Sequence, residues 1–364
     1  MRHLILLTAL SLLSACNEQK ENVLKTLPVY ESLQEGGKQI DDSWLNEKIQ
    51  IQSVTPLELT EASLLGRAFM VDEVSDKFMV CDFKSVYLFD NSTGKYLSSI
   101  KRSGEGPEDY LNILDLTFDS GSNVVSILDF PKKAINRYSV VDGKFLGRTK
   151  ADSIVAFETL KNKNWVSFNS MTDTCLYDIC ISTPQGKLVW GRERTNTFIP
   201  KGYVPTKDFI KSNSSVYFYE KDTLFQVVEE GGLNPTLYID KGQLSIPDEV
   251  LYDMKRKRER NQYIWGDVLC FSEKHCFITY YYNSKIYFDL WDISSAKLCY
   301  RNIFEQASDF RGLPFKVGNT TVYAWPSFVK DNVFYCVLDE GESGKLLTDE
   351  NAESNPAVLK FRIE

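Results

Sequence analysis

The sequence predicts an all-β protein, a six-bladed β-propeller of four-stranded antiparallel blades with one short inserted helix near residues 246–260. Three observations favour this fold: a repeat of about 50 residues, aromatic and β-branched runs in each repeat, and a matching strand pattern at both ends of the chain. The 364 residues include 43% hydrophobic and 25% charged residues, an ordinary globular composition that excludes disorder, collagen and coiled coil.

The repeat is marked by turns, most of which contain glycine followed by lysine, between two strand-like runs. The turns lie near positions 94, 143, 186, 232, 296 and 344, at intervals of 43 to 64 residues. Glycine suits them because tight hairpin turns require a positive φ. Units of about 40–50 residues with four strands are typical of propeller blades, and residues 46–364 accommodate six of them. Seven blades is the alternative, if residues 240–285 contain a further one.

The longest interval between turns contains the predicted helix. Pro247 suits a first helical turn, and Asp248 and Glu249 are acidic residues at the helix start, where the macrodipole favours them. The basic residues of 255–260 would lie at the other end. We interpret them as a solvated helix end, the alternative being an anion or headgroup site.

The two ends of the chain carry strand patterns that can close a ring. Residues 49–54 and 357–363 both alternate apolar and polar side chains with a period of two. We predict that they pair in one blade, which removes the exposed edges of an open array. An open solenoid with capped ends is the alternative.

Residues 1–15 are predicted to be a lipoprotein signal peptide. A short basic start precedes the apolar run 4–13, which is too short to span a bilayer, since spanning needs about 20 residues. Leu13, Ser14, Ala15 and Cys16 then resemble a bacterial lipobox, in which the cysteine receives the lipid. We therefore expect lipidation at Cys16, a tether over 16–45 and a single propeller domain over 46–364. An ordinary cleaved signal is the alternative.

The net charge bears on the partners of the protein, and the remaining cysteines bear on disulfides and metal sites. The net charge of −8 disfavours a nucleic-acid partner. Seven cysteines follow Cys16, an odd number, and the pairs 175/180 and 270/276 are close enough in sequence to form disulfides in an oxidising compartment. The spacing of cysteine and histidine does not fit a zinc site, so no metal is assigned.

Three segments carry a resemblance to a known family. Residues 100–110 read Ile-Lys-Arg-Ser-Gly-Glu-Gly-Pro-Glu-Asp-Tyr, and two further matches lie at 221–240 and 355–359. In this order they resemble the six-bladed β-propeller lipoproteins of Bacteroidota, although Asp109 replaces the usual glutamate. The resemblance implies the fold and a location in the cell envelope. We expect the lipid in the outer membrane, on its periplasmic or surface side. It implies no catalytic residue.

Two sets of residues are candidates for ligand binding. Arg102, Glu105, Glu108, Asp109 and Tyr110 concentrate charge in a short loop and could bind a cation, an amine or sugar hydroxyls. The alternative is a structural loop whose carboxylates cap backbone N–H groups. Trp265 and Trp325 are candidate platforms for stacking on sugars, the alternative for both being a place in the core.

The inventory of catalytic groups is poor. His275 is the only histidine after the signal peptide, which disfavours a Ser–His–Asp triad, and no phosphate-binding or dinucleotide-binding motif is present. We therefore predict a non-catalytic binding or scaffolding module, held on the membrane by lipid, for a glycan, a peptide or a partner protein, and no cofactor. One alternative is a lactonase-like hydrolase or lyase with channel carboxylates that hold calcium. Another is a structural subunit of an outer-membrane complex.

Overall fold

Strands dominate the part of the chain that the computed structural model describes. That part comprises residues 24–35, 42–65, 70–74, 76–119, 121–169, 175–194, 209–305, 311–346 and 354–364. Its strands form four sheets of four strands, one sheet of two strands and one of nine. Within the four-stranded sheets all neighbouring strands are antiparallel.

The chain enters the fold through a short N-terminal segment. This segment consists of strand β1 (Lys25–Leu27), helix α1 (Val29–Gln34), helix α2 (Ser43–Lys48) and strand β2 (Ile49–Pro56). Four-stranded groups then follow one another, and we number them along the chain.

Groups 1 to 3 are separate sheets. Group 1 contains β3 (Met70–Val74), β4 (Lys77–Asp82), β5 (Ser85–Asp90) and β6 (Tyr96–Ile100). Group 2 contains β7 (Asp115–Asp119), β8 (Val124–Asp129), β9 (Ala134–Ser139) and β10 (Phe145–Lys150). Group 3 contains β11 (Ile154–Thr159), β12 (Trp165–Asn169), β13 (Tyr177–Ser182) and β14 (Leu188–Glu193).

Groups 4 and 5 are joined by a long connection. Group 4 contains β15 (Phe209–Ser212), β16 (Ser215–Glu220), β17 (Thr223–Val227) and β18 (Leu233–Ile239). The connection carries 3₁₀ turns at Gly242–Leu244 and Met254–Gln262 and helix α3 (Asp248–Leu251). Group 5 contains β19 (Trp265–Phe271), β20 (His275–Tyr282), β21 (Lys285–Asp292) and β22 (Lys297–Phe304).

Group 6 combines both ends of the chain. A hairpin of β23 (Leu313–Val317) and β24 (Thr320–Ala324) precedes it. The group contains β25 (Pro326–Lys330), β26 (Val333–Leu338), β27 (Ala357–Ile363) and β2, with helix α4 (Glu340–Gly344) after β26. Strands β2 and β27 pair antiparallel from Ile49 opposite Ile363 to Pro56 opposite Ala357. The predicted pairing of the two chain ends is therefore confirmed.

The first strands of all six groups meet around a common axis. Ser212 of β15 pairs in parallel with Val329 of β25, and its hydroxyl donates to the Phe271 carbonyl of β19 at 2.7 Å. On the other side, the Phe157 amide of β11 donates to the Asp115 carboxylate of β7 at 2.8 Å. Lys211 connects β15 to β11 and β3. The predicted all-β propeller with four-stranded antiparallel blades is confirmed.

The up-and-down order of strands gives the ring two distinct faces. In each group, the turn between the second and third strands lies on the same side as the connections between groups, and we call this side the loop face. The other side carries the remaining turns together with the start of β2 and the end of β27, and we call it the terminal face. Between neighbouring groups the apolar strand positions pack into cores, for example Val86 and Leu88 of group 1 with Val125 and Ile127 of group 2.

The predicted single helix over 246–260 is wrong. The segment forms a four-residue α-helix and then a nine-residue 3₁₀ helix. The break lies at Asp253, whose extended backbone ends the first helix and whose carboxylate accepts from the Lys255 amide at 2.8 Å. The buried Arg260 guanidinium donates to the Leu251 carbonyl at 2.6 Å. This bond satisfies a carbonyl at the end of α3 that would accept an intrahelical hydrogen bond if the helix continued.

The predicted tether boundary at residue 45 also needs correction. Strand β1 pairs with β18, and Leu27 and Val29 are buried in the core between groups 4 and 5. Helix α2, with buried Leu45, packs in the core of groups 5 and 6. The described residues from 24 onward therefore belong to the folded body, and only residues before 24 can act as a tether.

Two further findings concern the cysteines and the membrane. The seven cysteines after Cys16 are free thiols, so neither suggested disulfide is formed. Cys270 and Cys276 contribute to cores on opposite sides of group 5, which explains why they do not pair.

In the described part of the chain, no helix has the length and apolar character needed to cross a bilayer.

Candidate functional site

The charged loop between β6 and β7 is held by its backbone carbonyls. The Lys132 ammonium, from the turn between β8 and β9, donates to the carbonyls of Gly104, Gly106 and Asp109 at 2.9, 3.1 and 2.9 Å. Arg148 also donates to the Asp109 carbonyl, at 3.0 Å. These charge-assisted hydrogen bonds from the Lys132 ammonium fix the path of the loop, which lies on the loop face.

Two of the predicted binding residues serve the loop itself. Tyr110 is fully buried, and its hydroxyl donates to the Lys84 carbonyl at 2.8 Å. Burial raises the pKa of Tyr110, so the hydroxyl stays a donor at physiological pH. The Asp109 carboxylate accepts from the Gly106 amide at 3.2 Å. These contacts agree with the structural alternative for Asp109 and Tyr110.

The other three residues of the loop lie at its surface. Arg102 and Glu108 form an ion pair at 3.4 Å, and both side chains are exposed. Glu105 is also exposed. The Glu108 backbone carbonyl accepts from the Tyr138 hydroxyl at 2.7 Å. The structure thus brings Arg102 and Glu108 together on a rigid support, and their role in binding stays a prediction.

The two predicted tryptophan platforms are partly buried among other side chains. Trp265 stacks on Tyr281 with ring centroids 4.8 Å apart, and the Arg260 guanidinium lies 5.7 Å from its ring. Trp325 packs edge-on with Phe277 at 5.2 Å and Phe288 at 4.7 Å. These contacts reduce the aromatic surface available for sugars. Trp325 also lines a cavity of about 320 Å³ beside helix α4, and the sugar-binding role of both tryptophans stays a prediction.

Sequence reasoning missed an apolar patch on the loop face. It consists of Leu64, Phe83, Leu111 and Phe130, which are 60%, 55%, 36% and 45% exposed. Phe83 and Phe130 occupy the equivalent turns of groups 1 and 2, while Leu64 and Leu111 lie in the connections before and after group 1. The sequence contained a signal for this patch, because turns usually carry polar residues and glycine. Large apolar side chains in turns therefore indicate an interaction surface.

Hydrogen bonds link the segments that carry the four patch residues. The Ile113 amide donates to the Phe83 carbonyl at 3.2 Å, and the Leu111 amide donates to Asp129, next to Phe130, at 2.9 Å. The Tyr87 hydroxyl donates to the Leu64 carbonyl at 3.1 Å and lies 3.3 Å from the Asp82 carboxylate, next to Phe83. The patch therefore extends from the connection before group 1 to the outer side of the turn in group 2.

The axis of the ring carries an ion triad. The Lys211 ammonium of β15 lies 2.9 Å from the Glu158 carboxylate of β11 and 3.5 Å from the Asp72 carboxylate of β3. Burial raises the pKa of Glu158, and Lys211 opposes this shift. For Lys211 itself, burial lowers the pKa, but the two carboxylates outweigh it and the net shift is upward. The Lys211 ammonium thus occupies the position that a metal cation bound by Glu158 and Asp72 would take.

The family is identified by a match over almost the whole described chain. Residues 26–362 match a family described as a domain of unknown function, DUF4934. The chain belongs to the DUF4934 family. The match begins within β1, which agrees with the finding that the N-terminal segment is part of the folded body. No curated protein matches the sequence.

Solved structures resemble this member of the DUF4934 family in fold. A Bacteroides fragilis protein described as exported is 17% identical with a TM-score of 0.69, over 90% of this chain and 98% of its own. A member of the DUF4221 family from Bacteroides vulgatus is 10% identical with a TM-score of 0.49, over 87% and 99% of the two chains. The β-propeller domain of Cps50 from Myceliophteria thermophila is 8% identical with a TM-score of 0.44, over 87% and 100%.

Proposed function

We propose that this protein is a lipid-anchored, six-bladed propeller of the cell envelope that docks a partner protein on its loop face without catalysis. The apolar patch carries the proposal. Its four large side chains are exposed on two turns and two connections that are hydrogen-bonded to neighbouring segments of the ring. Contiguous exposed apolar surface rimmed by charge is characteristic of protein-binding sites.

The strand groups support a count of six blades. Groups 1, 2, 3 and 5 are separate four-stranded sheets. The nine-stranded sheet consists of groups 4 and 6 with β1 added, and the two groups are linked only through the pair Ser212 and Val329. Each therefore counts as a blade of its own, and the two-stranded hairpin β23–β24 does not.

A protein partner fits this surface better than a sugar or a reacting substrate. The patch side chains are exposed on turns and connections, whereas substrates need concave, largely enclosed sites. The rim supplies both signs of charge through Arg102 and Glu108, which suits a polar interface rim. At the axis, Lys211 repels calcium from the carboxylates that the lactonase-like alternative would use.

The lipobox at residues 13–16 supports the lipid anchor, and the exported protein that shares the fold supports a location in the cell envelope. Replacing Cys16 by serine is expected to release the protein from membranes into the soluble fraction, because the acyl chains would be its attachment. Membrane fractionation and intact mass measure this effect. Retention of the Cys16→Ser variant on membranes, or a wild-type mass without acyl groups, would contradict the anchor.

Site-specific crosslinking tests the docking surface. A photoreactive amino acid at Phe83 or Phe130 is expected to give a discrete protein adduct in the cells that make this protein. With the probe at Phe130, the change Phe83→Ser is expected to reduce adduct yield on the order of tenfold, as loss of an interface anchor does.

Val141 provides the matched control, because it is an equally apolar turn residue, 75% exposed on the terminal face of group 2. The probe at Val141 is expected to give no protein adduct, and Val141→Ser is expected to leave the yield at Phe130 unchanged. Equal adducts at both faces, or none from the patch, would count against docking there.

A further inference from the structure

Strand β1 fixes the direction in which the chain enters the ring. It pairs in parallel with β18, with Lys25 opposite Leu237 and Leu27 opposite Ile239. Strand β18 is the last strand of group 4 and runs from the terminal face toward the loop face. Leu27 is fully buried, and its carbonyl accepts from the Asp240 amide at 2.9 Å. Strand β1 therefore begins on the side of the terminal face and runs toward the loop face.

The length of chain before β1 limits where a lipid on Cys16 can reach. Residue 16 lies eight positions before Leu24, the first described residue, and eight residues span at most about 27 Å. Leu24 lies level with residue 236 of β18. A chain that continues straight reaches the level of Leu233 after three residues. Five residues, or about 17 Å, then remain beyond the terminal face.

The loop face is much harder to reach from the same point. The chain would have to reverse, use about two residues in the turn, and pass back along the strand beyond Ile239. About three residues, or about 10 Å, would remain. At this point the loop face carries the connection of residues 240–264 between groups 4 and 5, with helix α3 and the 3₁₀ helix. This connection lengthens the path that the chain would need to reach beyond the loop face.

We propose that the terminal face lies against the lipid bilayer and that the loop face, with the apolar patch, points away from it. This inference rests on the proposed lipidation of Cys16. The two faces are separated by strands of five or six residues in groups 1 and 2, a height of about 20 Å. The patch therefore stands clear of the headgroups and is open to a partner that approaches from the aqueous side.

Energy transfer to labelled lipid measures the orientation. A fluorescent amino acid is placed at Val141 or at Phe130, which lie beyond opposite ends of β9 in group 2 and are both exposed. The acylated protein is inserted from outside into preformed phosphatidylcholine vesicles that contain a small fraction of rhodamine-labelled phosphatidylethanolamine. Transfer from Val141 is expected to be at least about twofold more efficient, because that site lies nearer the acceptors by about the length of the strand.

A second pair of positions detects tilt of the ring. Asn283 and Ser294 lie beyond opposite ends of β21 in group 5, and Ser294, on the terminal face, is expected to show the greater transfer. Equal transfer within both pairs means that the ring lies on its edge, and greater transfer from Phe130 and Asn283 means that it is inverted; either result overturns the proposal. Intact mass is measured first, so that protein without acyl groups, which removes the anchor itself, is distinguished from acylated protein with another orientation.

Discussion

Replacing Asp289 by alanine is expected to lower the free energy of unfolding by about 3–5 kcal/mol. Asp289 of β21 and Arg301 of β22 are both fully buried, and two bonds of 2.7 and 2.6 Å join the guanidinium to the carboxylate. Tyr280 donates to the same carboxylate at 3.0 Å. Without Asp289, the Arg301 charge stays in the core with hydroxyl and carbonyl partners only, which do not neutralise it.

Equilibrium unfolding in urea measures this effect, and Glu259→Ala is the matched control. Glu259 pairs with Arg256 at 2.6 Å, but the two side chains are 43% and 38% exposed. Its loss is expected to cost less than about 1 kcal/mol because water screens and solvates both charges. Similar losses in the two variants would show that burial of the Asp289 pair has no energetic consequence.

The same ion pair involves the N-terminal segment. Arg301 donates to the carbonyl of Ser32 at 3.1 Å and to its hydroxyl at 2.9 Å, so helix α1 covers the guanidinium from the edge of group 5. A segment that looks like a polar tether in the sequence is thus a partner of a buried charge.

Replacing Lys211 by methionine is expected to destabilise the protein by about 2–3 kcal/mol near pH 8. The change removes the cation shared by Glu158 and Asp72 and leaves two carboxylates near each other at the axis. Lys150→Met is the control, since the side chains of Lys150 and its partner Asp152 are 81% and 52% exposed and the loss of this pair is expected to change the stability little.

The cost of losing Lys211 is expected to depend on pH. Burial already raises the pKa of Glu158 above its usual 4.5, and removal of the cation raises it further. The folded variant then binds a proton more readily than the unfolded chain does, so its stability falls as pH rises from about 4.5 through the folded pKa. In the wild type, the raised pKa of Lys211 keeps its contribution intact up to about pH 10.5.

Urea unfolding at pH 5 and pH 8 tests this dependence. The deficit of the Lys211→Met variant relative to wild type is expected to be smaller at pH 5, because the raised pKa of Glu158 leaves a larger fraction of this carboxyl protonated and neutral there than at pH 8. A deficit of the same size at both values would show that the lost interaction is packing of the lysine stem and not charge.

Local features of the fold were the predictable ones. Gly94, Gly143 and Gly186 all adopt a positive φ in the turns where the repeat places them. The strands at 49–56 and 357–363 were predictable because polar side chains such as Gln50, Gln52 and Arg362, which are exposed, alternate with less exposed apolar ones. In both cases the residues that decide the structure are neighbours in sequence.

Features that join distant residues were not predictable. Lys211, Glu158 and Asp72 come from three different groups, and nothing near any of them in sequence indicates the other two. The helix prediction failed for a related reason, since the buried Arg260 bonds to the Leu251 carbonyl through tertiary packing that the helical pattern does not contain. The composition of the sequence located the charged loop. Its structural role, however, depends on the hydrogen bonds from Lys132 to its backbone carbonyls, which the sequence does not reveal.

The pairing of β2 with β27 has a consequence for how the protein is made. Val54 and Leu359 are partners in the ladder, so almost the entire polypeptide separates two strands that must meet. During synthesis, β2 leaves the ribosome early and stays without its neighbour until β27 emerges. For all that time β2 is an open edge that can pair with another nascent chain, and β26 becomes a second one once it is made. Prompt synthesis of β27 is therefore a condition for avoiding aggregation.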